Sequence, residues 1–488
     1  MTKQIYDFII IGSGASGGVM AHRLTQAGAH CLMLEAGQDL GPKTYPVNEM
    51  RANAKLMWSG GTDFTTDAKT ILLRGKVVGG GTIINQCLLD RFDDIALDDW
   101  SDRSGIRSLS VEGMSPYYDT AEALINLHEY QQQDFNRNAQ LYADSFDDCG
   151  YEWDYLRRGE SNCGGLCDSG QGRKNDCIVC LGGCPRKSKQ SSAVTSLARA
   201  RAQGLELRAN FEVDGVIHGK NQVVVHGTQN GEPQVVYARR LVMAAGALGS
   251  SKILLKSGMK NKLPALGERF FCHPQYMSIG FMRDEVDAHK GALQSVKSTD
   301  PRFRQQGFKL ENVFAGPIAV AMLKDGFGAD HHKFMRRYRN MACIEVSVRD
   351  EEPGTISINN SGKLVVNKPT DGVDAAKAAA GNHVVEELLA SMGCYETMQS
   401  RLQIGLHLMG GCAIGENSSR SVVQPNFQVY GHENIYMADG GIYPSAPGIN
   451  PSLTIMAMSH KAADSILADV GHDFTQTQKK IHSLKEVS

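Results

Sequence analysis

Gly12-Ser13-Gly14-Ala15-Ser16-Gly17 stands between an apolar run, Phe8 to Ile11, and a helically patterned stretch, Ala15 to Gly28. A second apolar run, Cys31 to Glu35, follows, so residues 5–35 read as strand, helix, strand. Glycines at this spacing let the backbone turn sharply and approach a pyrophosphate. The helix N-terminus behind them offers N–H groups and the positive end of its dipole. Glu35 closes the second strand 23 positions after Gly12, about the ~20-residue distance at which a carboxylate accepts hydrogen bonds from a ribose. Elsewhere the same letters would be a Gly-rich turn with an exposed Glu. In this context they predict an α/β dinucleotide-binding domain.

The rest of the chain must then be large enough to hold a second partner for that domain. At 488 residues it has room for about three compact units. With 42% hydrophobic and 21% charged residues it fills real cores and is not a disordered tail. Lys and Arg number 51 against 53 Asp and Glu, a net charge of -2, which supplies no basic field for nucleic acid. The longest apolar run, Val313 to Leu323, has 11 residues and contains Gly316 and Pro317. A membrane span needs ~18 or more, so no transmembrane segment is expected. The opening residues lack the basic region and cleavage site of a secretory signal, which predicts a cytoplasmic location, with export only on a partner.

Residues 207–243 break into short β-like runs: Val213 to His218, Val223 to His226, Val235 to Tyr237 and Leu241 to Ala244, with a turn signal at Asn230-Gly231. These predict a small antiparallel layer. Helical patterning surrounds Tyr117 to His128, strands are expected at 341–348, 354–358 and 363–367, and 371–392 reads as an Ala-rich helix. A second, mixed α/β domain is expected there. No linker or repeat separates the units, so they are expected to interweave.

Twelve cysteines are too dilute for a disulfide scaffold, yet Cys163, Cys167, Cys177, Cys180 and Cys184 fall within 22 positions. Cys177-x2-Cys180-x3-Cys184-Pro185 reproduces the last three cysteines and the proline of the bacterial ferredoxin run. That spacing suits an iron–sulfur cluster, [3Fe-4S] or [4Fe-4S], with Cys163 or Cys167 as fourth ligand. Zinc on four thiolates is the rival, since C-x2-C knuckles also bind it; metal-free thiols or a disulfide are the third reading. Lys333, Arg336, Arg337 and Arg339 form a basic patch, read as a solvated face before a docking surface.

The Gly fingerprint does not separate NAD from FAD. A second Gly-rich segment, Arg74-Gly75-Lys76-Val77-Val78-Gly79-Gly80-Gly81-Thr82-Ile83-Ile84-Asn85, ends in an Asn suited to a flavin's polar rim. Together with Ala244 to Gly258 and Leu266-Gly267-Glu268-Arg269-Phe270-Phe271-Cys272-His273-Pro274, it makes the chain resemble the glucose-methanol-choline (GMC) oxidoreductases, in their order, from residue 5 to about 470. Ser251 stands where many of these have proline. The resemblance implies FAD in a Rossmann-like domain of glutathione-reductase type, interwoven with an α+β substrate domain built on an antiparallel sheet. The implied partition is 1–100, 190–272 and 405–470 for FAD, 101–158 and 273–404 for substrate, 159–189 for a Cys-rich insert and 471–488 for a tail. It places cofactor contacts at Gly12, Ser13, Gly14, Gly17, Glu35, Arg74, Gly79, Gly80, Thr82, Asn85, Val213, Ala245, Asp439, Gly440, Asn450 and Pro451.

His407-Leu408-Met409-Gly410-Gly411-Cys412 and Gly448-Ile449-Asn450-Pro451 are similar to the family's catalytic stretches, with the His/Asn version found in cholesterol-oxidase-like members. An alcohol's proton is too weakly acidic to leave unaided, so a neutral imidazole is expected to take it as hydride departs: His407 as base, Asn450 orienting the hydroxyl. His273 and His460 are expected to be structural. The stretch Cys177 to Leu197 resembles the equivalent part of long-chain alcohol oxidases and, less closely, cluster-bearing subunits of bacterial sugar dehydrogenases. The expected function is oxidation of a CH–OH group on a small-molecule alcohol, with electrons leaving through the cluster to a cytochrome, a quinone or a small subunit. An oxidase reducing O₂, with structural zinc or no metal, and a non-catalytic FAD-binding subunit are the alternatives.

Overall fold

The computed structural model describes residues 4–46, 48–161, 163 and 177–471, with 177–179 described for their backbone alone. Two sheets organise it. In the first, of eight strands, Ile5–Ile11 lies between Cys31–Leu34 and Glu232–Met243 and is parallel to both. From Tyr6 onward it is buried at every position, which is why it reads as an unbroken apolar run rather than an alternation. The helix Ala15–Gln26 covers it and packs against the helices Ser196–Ala202 and Ser452–Val470.

The small antiparallel layer expected at 207–243 is present, Phe211–His218 pairing with Val223–Gln229 and that strand with Glu232–Met243, but it continues into the parallel sheet. Glu232–Met243 is a single strand of 12 residues; its first part pairs antiparallel with Val223–Gln229, and its second part is parallel to Ile5–Ile11. The hairpin at Asn230 and Gly231 is as expected, both residues having positive φ, 52° and 89°. The two patterns read from the sequence are thus one strand passing from a half-exposed edge into the core.

The second sheet has eleven strands built around Glu268–Phe281, flanked by Met341–Val348 and Gln403–Gly410. Met341–Val348 is buried throughout, because the helix Gly372–Ser391 covers it. Glu268–Phe281 runs unbroken across the border expected at 272, and Thr70–Leu72 joins the edge of this sheet beside Gln403–Gly405. The helix expected at Tyr117 to His128 instead spans Val111–Glu122, started by the Ser110 hydroxyl accepting from Gly113 N–H at 3.2 Å; a strand, Leu127–Glu129, follows.

In the basic patch, Lys333 lies 3.7 Å from Asp330, Arg337 pairs with Glu396, and Arg339 pairs with Glu285 and Asp287, as on a solvated charged face. Among the described residues no helix is long and apolar enough to cross a membrane.

Candidate active site

Gly12 ends the first strand at φ +98°, where a Cβ would lie 2.3 Å from the Ala244 carbonyl oxygen. A Cβ on Gly17 would lie 1.9 Å from the Gly12 carbonyl oxygen. These two glycines therefore let the helix and two strands meet. Gly14 is different: a Cβ there would meet nothing within 4 Å, and the same holds at Gly81 and Gly246. The helix that starts at Ala15 has no side-chain cap and no acid in its first turn, so its N–H groups and dipole face this glycine-walled ground.

Glu35 is buried and accepts from Ser13 Oγ at 2.6 Å, Ser13 N–H at 3.1 Å and Gly37 N–H at 2.8 Å. Burial pushes its pKa up against those donors. Ser13 Oγ in turn accepts from Gly79 N–H at 2.9 Å, so Glu35 ties the first glycine loop to the second. A Cβ on Gly80 would sit 3.0 Å from Gly14 Cα. Thr82 holds the second loop internally, donating to Gly79 O at 2.5 Å and accepting from Ser192 N–H at 3.0 Å.

Of the other expected cofactor contacts, Arg74 is engaged by Asp63 and lies 5.0 Å from the Trp58 ring centre, so its charge is spent at the sheet edge. Asn85 Oδ1 accepts from Cys87 N–H at 3.1 Å. Ala245 N–H donates to Ser250 Oγ at 3.2 Å, and Val213 sits buried in the strand Phe211–His218. Asp439 accepts from Gly246 N–H, Ser250 Oγ and Gly441 N–H at 2.6–2.8 Å, and burial raises its pKa to about 6. Gly440 borders the strand that carries His407, a Cβ there lying 3.3 Å from Leu408 O. Pro451 precedes the helix Ser452–Val470.

His407 owes its direction to an irregularity. Between the Phe271–Met409 and His273–Leu406 pairs the register slips, two residues facing one, and His407 adopts φ +57°. Such a bulge re-aims a side chain that a regular strand would have turned away. His407 Nδ1 lies 2.9 Å from His273 Nδ1, the rings crossing at 81°. His273 Nε2 accepts from Gly448 N–H at 3.0 Å. Asn450, two residues on, accepts at Oδ1 from Lys309 Nζ at 2.8 Å. Lys309 is itself paired with Glu311.

His273, expected to be structural, is therefore part of the site. Its place in the Cys272-His273-Pro274 segment is the signal that could have marked it. Lys309 carried no sequence signal, because it alternates within an unremarkable strand, Phe308–Asn312.

Burial and then Lys309 bring the pKa of His407 down to about 3. Burial, His407, Lys309, Arg304 and Arg349 push that of His273 well below the usual histidine range. Both rings are neutral near pH 7. An unfolded histidine titrates near ~6.5, so between about pH 6.5 and 3 the unfolded chain binds more protons than the folded one, and stability falls as pH falls. From pH 7 to pH 5, His407 alone is expected to remove roughly 2 kcal/mol. Denaturant midpoints at the two pH values, compared between the wild type and His407→Gln, read this directly: the variant should lose less on acidification.

His273 Nε2 accepts from a backbone N–H, so the neutral ring carries its hydrogen on Nδ1, opposite His407.

Cys163, Cys180 and Cys184 line one pocket with Arg158, Glu160 and Lys189. Arg158 donates toward Cys180 Sγ at 3.6 Å and to Tyr130 Oη at 2.6 Å, and Lys189 donates to the carbonyls of Ile83, Asn85 and Cys180. Cys167 and the side chain of Cys177 lie outside the described residues. Among the described residues no three His, Cys, Asp or Glu side chains converge on a metal position.

A family model described as GMC oxidoreductase matches in two parts, residues 6–275 and 350–459. An uncharacterized GMC-type oxidoreductase of Sinorhizobium fredii is 26% identical over 506 residues, covering 96% of each chain. A long-chain-alcohol oxidase of Arabidopsis thaliana is 25% identical over 523 residues, covering 94% of this chain and 67% of the relative. Among solved structures, a pyridoxine 4-oxidase superposes with a TM-score of 0.72 at 15% identity, covering 94% of this chain and 98% of that one.

Proposed function

The chain belongs to the GMC oxidoreductase family and is an FAD-dependent oxidoreductase acting on CH–OH donors; from that premise we propose that it is an alcohol dehydrogenase whose substrate oxygen is held between His407 and Asn450. The glycine ground at Gly14, Gly81 and Gly246, with an uncapped helix N-terminus behind it, fits the pyrophosphate of FAD. When bound, FAD supplies the hydride acceptor. Glu35 and Ser13 fix the first glycine loop against the second, and Asp439 fixes the start of the helix Gly246–Lys256.

The observation that carries the reading is the convergence of His407, His273, Gly448, Asn450 and Lys309 through hydrogen bonds of 2.8–3.0 Å from four distant parts of the chain. His273 links the strand of His407 to Gly448, two residues before Asn450, and that strand borders Gly440. An alcohol panel titrated anaerobically against the purified protein tests it. Bleaching of the flavin absorbance supports CH–OH oxidation, and failure of every alcohol would leave a non-catalytic FAD-binding subunit.

For electron exit we propose an iron–sulfur cluster on the cysteines of 163–184, which favours a dehydrogenase working with an electron-transfer partner. Its support is the Cys177-x2-Cys180-x3-Cys184-Pro185 spacing and the two buried cations, Arg158 and Lys189, which offset the negative charge of thiolate ligation. Protein purified under argon is expected to contain about three to four iron atoms and matching sulfide per chain. Zinc in their place, or no metal with peroxide formed on reoxidation, selects the O₂-reducing oxidase.

A further inference from the structure

We propose that a cleft on the back of the second sheet, between the helix Gly372–Ser391 and the strands that carry His273 and His407, binds an uncharged saccharide of one or two rings. It is a second site, apart from the one that oxidises the alcohol.

The strand Glu268–Phe281 separates the two. Its pairing is regular from His273 through Tyr276, and side chains alternate along a regular strand, so His273 and Gln275 share one face and Tyr276 stands on the other. Tyr276 pairs with Val346, and the helix lies on that side: a Cβ on Gly381 would be 2.5 Å from Val346 Cγ1. The cleft there has a volume of about 420 Å³, within the ~300–1,000 Å³ usual for small-molecule sites. On the helix, Ala375, Ala379, Asn382 and Glu386 recur at the spacing of one helical face and line it. The two alanines leave it open.

Two polar side chains in the cleft lack the partners that a folded interior ordinarily supplies. Tyr276 is 8% exposed, and among the described residues its hydroxyl has no hydrogen-bond partner. Asn382 Oδ1 is buried without a hydrogen bond, in mid-helix, where asparagine is a poor helix former. Such atoms are costly to leave unpaired, and a ligand's hydroxyls offset that cost. Burial, then Asp374, Cys272 and Asp350 push the Tyr276 pKa up, so the phenol keeps its hydrogen and donates. Asn382 Oδ1 accepts. Gln403 Oε1 is taken by Thr70 Oγ1 at 3.0 Å, which leaves the Gln403 N–H groups for the cleft, and Thr370 adds a hydroxyl. Donors and acceptors beside one aromatic ring suit a molecule with several hydroxyls and an apolar C–H face.

Charge narrows the class. Among the described residues Glu386 is the one carboxylate lining the cleft, no lysine or arginine lines it, and the exposed His383 lies 3.7 Å from Glu387. An anionic ligand would meet Glu386 with no fixed cation to offset it. A bare cation, having no lone pairs, would leave the hydrogens of Tyr276 and Gln403 unpaired. An uncharged polyhydroxy ring answers both.

Anaerobic isothermal titration of the holoenzyme with maltose, methyl α-D-glucopyranoside and glucose 6-phosphate tests the proposal. Saturable binding of the two neutral sugars is expected, with glucose 6-phosphate at least tenfold weaker. Tyr276→Phe keeps the ring and removes the hydroxyl, so Kd for the neutral sugars should rise about tenfold. Ala379→Phe fills the cleft from an exposed helix position and should abolish binding there. A sugar that also enters the active site should show two sites in the wild type and one in Ala379→Phe. Denaturant melts and flavin spectra matching the wild type establish that both variants are folded. Absence of saturable sugar binding by the wild type, or a stoichiometry and Kd that both variants leave unchanged, overturns the site. Glucose 6-phosphate bound as tightly as the glucoside overturns the uncharged class.

Discussion

His407→Ala is expected to slow anaerobic flavin reduction by roughly 10²–10³-fold while FAD content stays that of the wild type. The magnitude lies within what a positioned acid or base contributes to proton transfer, roughly 10²–10⁴-fold. FAD binding should not follow, because the glycine loops at 12–17 and 79–81 and the Glu35–Ser13–Gly79 ties do not involve the imidazole. His273 also survives the change, since Gly448 N–H still fills its Nε2. Asn450→Asp should be slower still: the carboxylate would keep the Lys309 contact but set a negative charge beside the oxygen that is losing its proton. Stopped-flow traces of flavin bleaching measure both. A His407→Ala trace that coincides with the wild type would remove the imidazole from the reacting oxygen.

The first strand, helix and second strand were legible because local chemistry and global fold agree there: unbroken apolar runs for a strand buried on both faces, glycines where backbones meet, a carboxylate at the strand end. The hairpin at Asn230-Gly231 was legible for the same reason. Glu232–Met243 misled because one strand serves two environments, so its pattern changes halfway and looks like two strands. At the site, His407 and Asn450 were readable from their motifs, but what they do depends on partners far away in sequence. His273 is 134 residues from His407, and Lys309 is 141 from Asn450. Neither partner announces itself by periodicity, and the slip in register that turns His407 toward His273 leaves no trace in residue types. The tautomer of His273 is set by a single backbone N–H, that of Gly448.

Two alanines on the same loop should separate folding from cofactor binding. Gly17→Ala places a methyl 1.9 Å from the Gly12 carbonyl oxygen and 3.4 Å from Ala244 Cβ. Backbone rather than a flexible side chain blocks it, so the helix Ala15–Gln26 must lift from the strand, at an expected cost above about 3 kcal/mol. Gly14→Ala meets nothing within 4 Å, and Gly14 has φ −68°, which alanine tolerates. The chain without FAD should therefore keep its denaturant midpoint to within about 1 kcal/mol, most of that from a poorer helix start. The new methyl, however, stands in open space at the start of the uncapped helix and crowds its free N–H groups, where the pyrophosphate is to lie. FAD affinity is expected to fall about 100-fold, or about 2.7 kcal/mol. Denaturant melts of the two apoproteins, paired with FAD titrations followed by flavin fluorescence, make the comparison. Gly14→Ala binding FAD as the wild type does would move the pyrophosphate away from this helix. The glycine at 14 would then be a turn residue, and the fit of FAD to the cradle would have to be sought elsewhere on the first sheet.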